Sequence, residues 1–238
     1  MIGMVLLLLL GPTCTLRAPA GEPAGRPCHG AFGAGQDDAV KAKEMLSAAA
    51  QTFKDAPAIA FECRSSWKGL DFARRMKVLL RRPDLARIEA SGEDQEYLHV
   101  LDGTTAWTYL PGSNGYLKAP RSAALLESLG IGPLATLHAG KADDLLKGAT
   151  NVLVREERSG DDKLDLVSWS TPRGDSRLWI DANRALRKFE WRFKSDGETY
   201  EQTAEYGKVD LAPKYADDAF TFVPPKGARE IPTAERRP

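Results

Sequence analysis

A mainly β domain with some helix (α+β), a strongly curved antiparallel meander forming an incomplete β-barrel, is the fold this sequence predicts. Three observations predict it. Apolar and polar residues alternate with a period of two through most of the chain from 59 to 223, the spacing of half-buried strands. Asp102-Gly103, Asn114-Gly115 and Asp196-Gly197 sit between such runs and supply the positive φ angles that tight hairpins demand. The remaining gaps are too short for the crossover helix that each parallel pairing would need.

The chain opens on an apolar run, Met4-Val5-Leu6-Leu7-Leu8-Leu9-Leu10, too short to span a bilayer and suited to the core of a secretory signal. Ala18-Pro19-Ala20 offers small residues for cleavage, so 1–20 reads as a signal peptide and the mature protein as exported to the periplasm. Cys14 gives a second reading, an acylated outer-membrane anchor, although Gly11-Pro12-Thr13 is not the Leu-small-small triplet that goes with one. With Cys14 removed, Cys28 and Cys63 are an even pair in an oxidising compartment and a candidate disulfide. The other reading makes Cys63 a small buried hydrophobe and Cys28 a thiol on an arm. Residues 21–36, rich in Gly, Pro and Ala, form a flexible tether, 37–232 the domain, and 233–238 a disordered tail.

Asp37 suits the N-cap of a helix reaching about Lys54, with Val40, Met45, Leu46, Ala49, Ala50 and Phe53 on its apolar side and Pro57 ending it. Strands are expected at 59–67, around Met76, Val78 and Leu80, and at 86–90, 97–101, 106–110, 115–118, 152–157, 164–169, 177–180, 186–193, 199–206 and 220–223. Between the sixth and seventh strands the pattern turns helical. Ser122 caps 123–129, and shorter pieces follow at 133–138 and 142–147. Their Leu125, Leu126, Leu129, Leu134 and Leu137 need cover, and the concave side of the sheet provides it, which makes these pieces a candidate lid.

Composition narrows function. The 33 basic and 33 acidic residues balance, so no electrostatic footprint for nucleic acid exists. His29, His99 and His138 are scattered and lack catalytic company, and no metal spacing or nucleophile elbow occurs; the expectation is no enzyme, no metal and no cofactor. Apolar and aromatic residues at strand period are plentiful. Met76, Val78, Leu80, Ile88, Trp107, Tyr109, Leu178, Ile180, Phe189, Trp191 and Phe193 are the candidate wall of an apolar cavity. For any one of them plain core is the competing reading.

Three segments carry a resemblance. Arg81-Arg82-Pro83-Asp84-Leu85-Ala86-Arg87, Asp102-Gly103-Thr104-Thr105-Ala106-Trp107-Thr108-Tyr109-Leu110-Pro111 and Phe220-Thr221-Phe222-Val223-Pro224-Pro225-Lys226-Gly227-Ala228 resemble, in that order, the LolA-like periplasmic lipoprotein-carrier superfamily, and most closely an uncharacterised bacterial branch of it. The resemblance implies a half-barrel closed by helices over an apolar cavity. It also implies that Arg82, on the face of Met76, Val78 and Leu80, is a gate hydrogen-bonded to the lid. Without the resemblance, a guanidinium snorkelling to solvent fits the residues as well. The implied function is a monomeric periplasmic binder of a lipid or lipoprotein acyl chain, a carrier in outer membrane lipoprotein sorting and transport. The alternatives are a sensor that contacts a membrane protein partner and a structural envelope protein with a filled core.

Overall fold

The computed structural model describes residues 34–68, 72–92, 96–121 and 131–232. The signal peptide, Cys14, Cys28, the expected 123–129 helix with Leu125, Leu126 and Leu129, and the tail lie outside the described residues.

The first helix, α1 (Ala34–Asp55), starts three residues before Asp37, inside the expected tether. Asp37 therefore stands in the first turn, where its charge favours the helix dipole, and does not cap it. Ala42, Met45, Leu46, Ala49, Ala50 and Phe53 recur at three- and four-residue steps and are all buried. Val40 is off that series and 57% exposed, which corrects its expected place on the apolar side.

Among the described residues 12 strands form one sheet. A first antiparallel meander runs through β1 (Ala58–Lys68), β2 (Phe72–Arg81), β3 (Leu85–Gly92), β4 (Tyr97–Asp102), β5 (Thr105–Leu110) and β6 (Gly115–Pro120). A second comprises β7 (Thr150–Ser159), β8 (Asp162–Thr171), β9 (Gly174–Asp181), β10 (Leu186–Ser195) and β11 (Glu198–Tyr206). The expected turn residues take the left-handed conformation: Gly103, Asn114, Asp196 and Gly197 all have positive φ.

The meander has two halves within one sheet. β11 returns to pair antiparallel with β1, placing Tyr206 opposite Cys63, so the two meanders join at β1. The chain between them carries α2 (Pro133–His138) and α3 (Ala142–Leu145). The expected strand at 220–223 is also absent. That segment precedes Pro224 and Pro225, which have no N–H to give a ladder, and pairing resumes only at β12 (Arg229–Glu230), parallel to β6.

Register sorts the side chains onto two faces. One inner row runs Phe61, Val78, Ile88, His99 and Thr108 from β1 to β5, and the row beside it runs Ile59, Leu80, Ala86, Leu101 and Ala106. These rows pack with α1 and α2 in one core that also takes in Val167, Leu178, Ile180, Phe189, Ala204 and Tyr206. A smaller cluster of Leu164, Leu166 and Trp179 lies on the outer face.

Candidate functional site

The point where β2 ends brings sheet and helices together. Arg82 follows the inner-face series Met76, Val78 and Leu80, and its Nη2 donates to the carbonyl of His138 at 2.5 Å and to that of Phe53 at 3.3 Å. One guanidinium thus bridges the last turns of α2 and α1. Burial lowers its pKa, and the guanidinium Nε, also buried, has no partner among the described residues. The resemblance implied a bond from Arg82 to the lid; the acceptor seen here in the last turn of α2 is the carbonyl of His138.

The other end of α2 is held by Tyr206, which sequence reasoning missed. Its hydroxyl donates to the carbonyl of Ile131 at 3.0 Å in a fully buried setting. Burial drives the phenol pKa well above its ordinary value. Next to that carbonyl Gly132 has φ +62°, and a Cβ there would stand 3.0 Å from the Tyr206 hydroxyl, so a side chain would crowd the bond. No local pattern marks Tyr206, because its partner lies 75 residues away.

Between these ties the contact is apolar. Leu134 and Leu137, the described leucines of the expected lid, are fully buried against the same core as Phe53 and Leu80. His138 is buried as well; burial and then the neighbouring Arg82 hold its pKa down to about 4, and its Nε2 has no partner among the described residues.

The predicted wall residues divide. Met76, Val78, Leu80, Ile88, Leu178, Ile180 and Phe189 belong to the inner core at 0–8% exposure. Trp191 and Phe193 share that face farther out and are half-buried, stacked at 4.3 Å with Trp67 edge-on to both. Trp107 and Tyr109 lie on the opposite face, a correction to their expected place. Ala106, opposite Leu101, faces inward, which turns both rings outward against Tyr116 and Phe222. Cys63 is buried under the inner face and its thiol is pushed up to about 12 by that burial; its candidate partner Cys28 lies outside the described residues.

Two recesses lie at the surface: one of about 650 Å³ at the outer end of β8 to β11, bordered by Lys68, Arg173, Arg192, Lys194 and Phe193, and one of about 300 Å³ between α1 and α3. No group of three or more His, Cys, Asp or Glu suited to a metal ion occurs among the described residues. No described helix is long and apolar enough to cross a membrane.

Comparison with known proteins fits this geometry. A family model described as a predicted periplasmic protein (DUF2092) matches residues 42–234. No curated protein matches the chain in sequence. Among solved structures, an uncharacterised conserved protein from Thermus thermophilus is 12% identical with a TM-score of 0.54, over 80% of this chain and 98% of that one. At this identity the likeness concerns the fold. A LolA superfamily protein from Nitrosomonas europaea is 13% identical over 76% of this chain and 97% of that one, with a TM-score of 0.37. The MucA/MucB complex of Pseudomonas aeruginosa gives 13%, 77%, 61% and 0.44 in the same order.

Proposed function

We propose, from the premise that this chain belongs to the DUF2092 family of predicted periplasmic proteins, that it is an envelope binding protein whose inner face shelters the acyl chain of a lipid or lipoprotein beneath α2. The observation that carries this reading is how α2 is attached: an apolar underside on an apolar layer, with Arg82 at one end and Tyr206 at the other. Such a cover shifts by trading one apolar contact for another. Its polar cost is concentrated at two hydrogen bonds.

Magnitudes support the exchange. Shielding an acyl chain of about fifteen methylenes from water is worth on the order of 12 kcal/mol. The Leu134 and Leu137 contacts it would displace are worth roughly 1.5–3 kcal/mol each. The Arg82 bond adds about 1.5–3 kcal/mol, enough to keep the cover closed without ligand and too little to hold against one. Ligand then selects the open state by its differential affinity.

The burial of Met76, Val78, Leu80, Ile88, Leu178 and Ile180 favours a second reading, a protein-binding regulator or a structural envelope protein with a filled core. Native mass spectrometry of the protein purified from the envelope, with lipid analysis of what co-purifies, separates the two. A bound acylated species is expected, with fluorescent fatty acid uptake about ten-fold faster in Arg82→Leu, as loss of a charge-assisted bond predicts. A ligand-free protein that takes up no probe in either form overturns the binding role and leaves the second reading.

A further inference from the structure

The larger surface recess, about 650 Å³, lies where β1 and the strands β8 to β11 end, and its volume is that of a small-molecule site. Four cations border it, Lys68, Arg173, Arg192 and Lys194, against two carboxylates, Asp175 and Glu201. The border therefore carries a surplus of two positive charges. Both carboxylates are already engaged: Glu201 pairs with Arg192 at 3.2 Å, and Asp175 accepts a bond from the Ser170 hydroxyl at 2.7 Å. Lys68, Arg173 and Lys194 have no side-chain partner among the described residues. The acids of the β10–β11 turn do not supply one, since Asp196 accepts from Ser195 and Glu198 from Tyr200, and neither borders the recess.

Elsewhere on these strands the pattern is different. Arg177, Arg187 and Lys188 each stand 2.7–3.7 Å from a carboxylate, the pairing that stabilises a sheet surface. At the recess the chain instead gathers cations around one concavity, where like charges repel one another and focus their field on whatever enters. Backbone geometry helps to gather them. Gly174 has φ +140°, and a Cβ there would run into the Arg192 carbonyl, so the β8–β9 turn lies directly on β10. That contact brings Arg173 to the border that Arg192 and Lys194 share. Phe193 lies at the same border, its ring stacked on Trp191 at 4.3 Å and on Tyr200 at 5.3 Å.

We propose that this recess is an anion site that takes a phosphate monoester group, held by Arg173 and Lys194 on one side and Lys68 on the other. Such a group carries a charge of about −1.5 to −2 at neutral pH, which matches the surplus at the border. Three ammonium and guanidinium groups without partners meet the acceptor oxygens that a phosphate presents. No residue of α2 borders the recess, so the site goes beyond the acyl-binding reading and does not depend on it. A lipid head group and a soluble phosphate ester share this chemistry, and the experiment separates them.

The test follows backbone amide shifts by NMR while the purified chain is titrated, at fixed ionic strength, with glycerol phosphate, dodecyl phosphate and glycerol. Both phosphate esters are expected to shift amides at 171–175 and 192–199, and glycerol to shift none. Dodecyl phosphate binding the more tightly at these amides identifies a lipid head group, and equal affinities identify a soluble ester. Arg173→Gln and Lys194→Gln, both at exposed positions, should each weaken glycerol phosphate about two- to five-fold, as exposed charge pairs do, and together about ten-fold. Arg158→Gln removes another cation without a partner among the described residues, on β7 and away from the recess, and should change nothing. Absence of shifts in the two segments, shifts spread evenly over the cations of the chain, or an Arg158→Gln effect as large as the other two overturns the site. None of these outcomes bears on fatty acid uptake, so the site and the acyl-binding reading fail separately.

Discussion

Mild acid should loosen this protein through His138. The imidazole is buried beside Arg82, and its pKa falls from the ordinary 6.5 to about 4, through burial first and Arg82 second. The unfolded chain takes up a proton below about pH 6.5, whereas the folded chain does so only near pH 4. Stability present above 6.5 is therefore lost progressively as the pH falls through that window. At about 1.4 kcal/mol for each pH unit, the loss approaches roughly 3 kcal/mol. His99, held near 4 with burial again the first cause, adds a loss of the same sign in the same window. Urea unfolding of wild type and His138→Gln at a series of pH values measures the difference. Wild type should lose about 2–3 kcal/mol more than the variant between neutral pH and about pH 4.5. Equal losses would refute the assignment of a buried neutral imidazole beside Arg82.

Two further predictions concern the ties around the sheet. Tyr206→Phe leaves the buried Ile131 carbonyl without its donor and should cost about 1–3 kcal/mol in urea unfolding, with hydrogen exchange in α2 rising more than in β3. Phe222→Ala removes a ring that contacts Trp107, Tyr109 and Tyr116 on the outer face; it should cost about 1 kcal/mol and shift tryptophan emission to the red, without altering probe uptake.

Much of this architecture was legible because alternation is local. The hairpins and nearly every strand follow from period and turn chemistry, and Leu134 and Leu137 marked a helical cover. What was not legible depends on register between distant segments. Trp107 and Tyr109 read as wall because large rings usually seek the core, yet Ala106 faces the inner layer and the rings pack with Phe222, over a hundred positions later. The segment 220–223 alternates like a strand, but the prolines after it deny it a ladder. Arg82 was singled out by its face and by the family resemblance, while its acceptors, the carbonyls of Phe53 and His138, are backbone groups that no side-chain pattern reveals. The place of Tyr206 opposite Cys63 exists only once β11 has returned to pair with β1.

That double pairing of β1 has a consequence for how the chain is made. One partner, β2, follows immediately, but Cys63 meets Tyr206 only after about 140 further residues have been synthesised. Until then one edge of β1 is a bare row of backbone donors and acceptors flanked by Ile59 and Phe61, the kind of template that recruits foreign strands. The first meander can zip up early, whereas joining the two halves must wait for a long loop to close, which slows folding. Holding the nascent chain apart from its neighbours during that interval is therefore as much a requirement of this topology as any contact within the finished sheet.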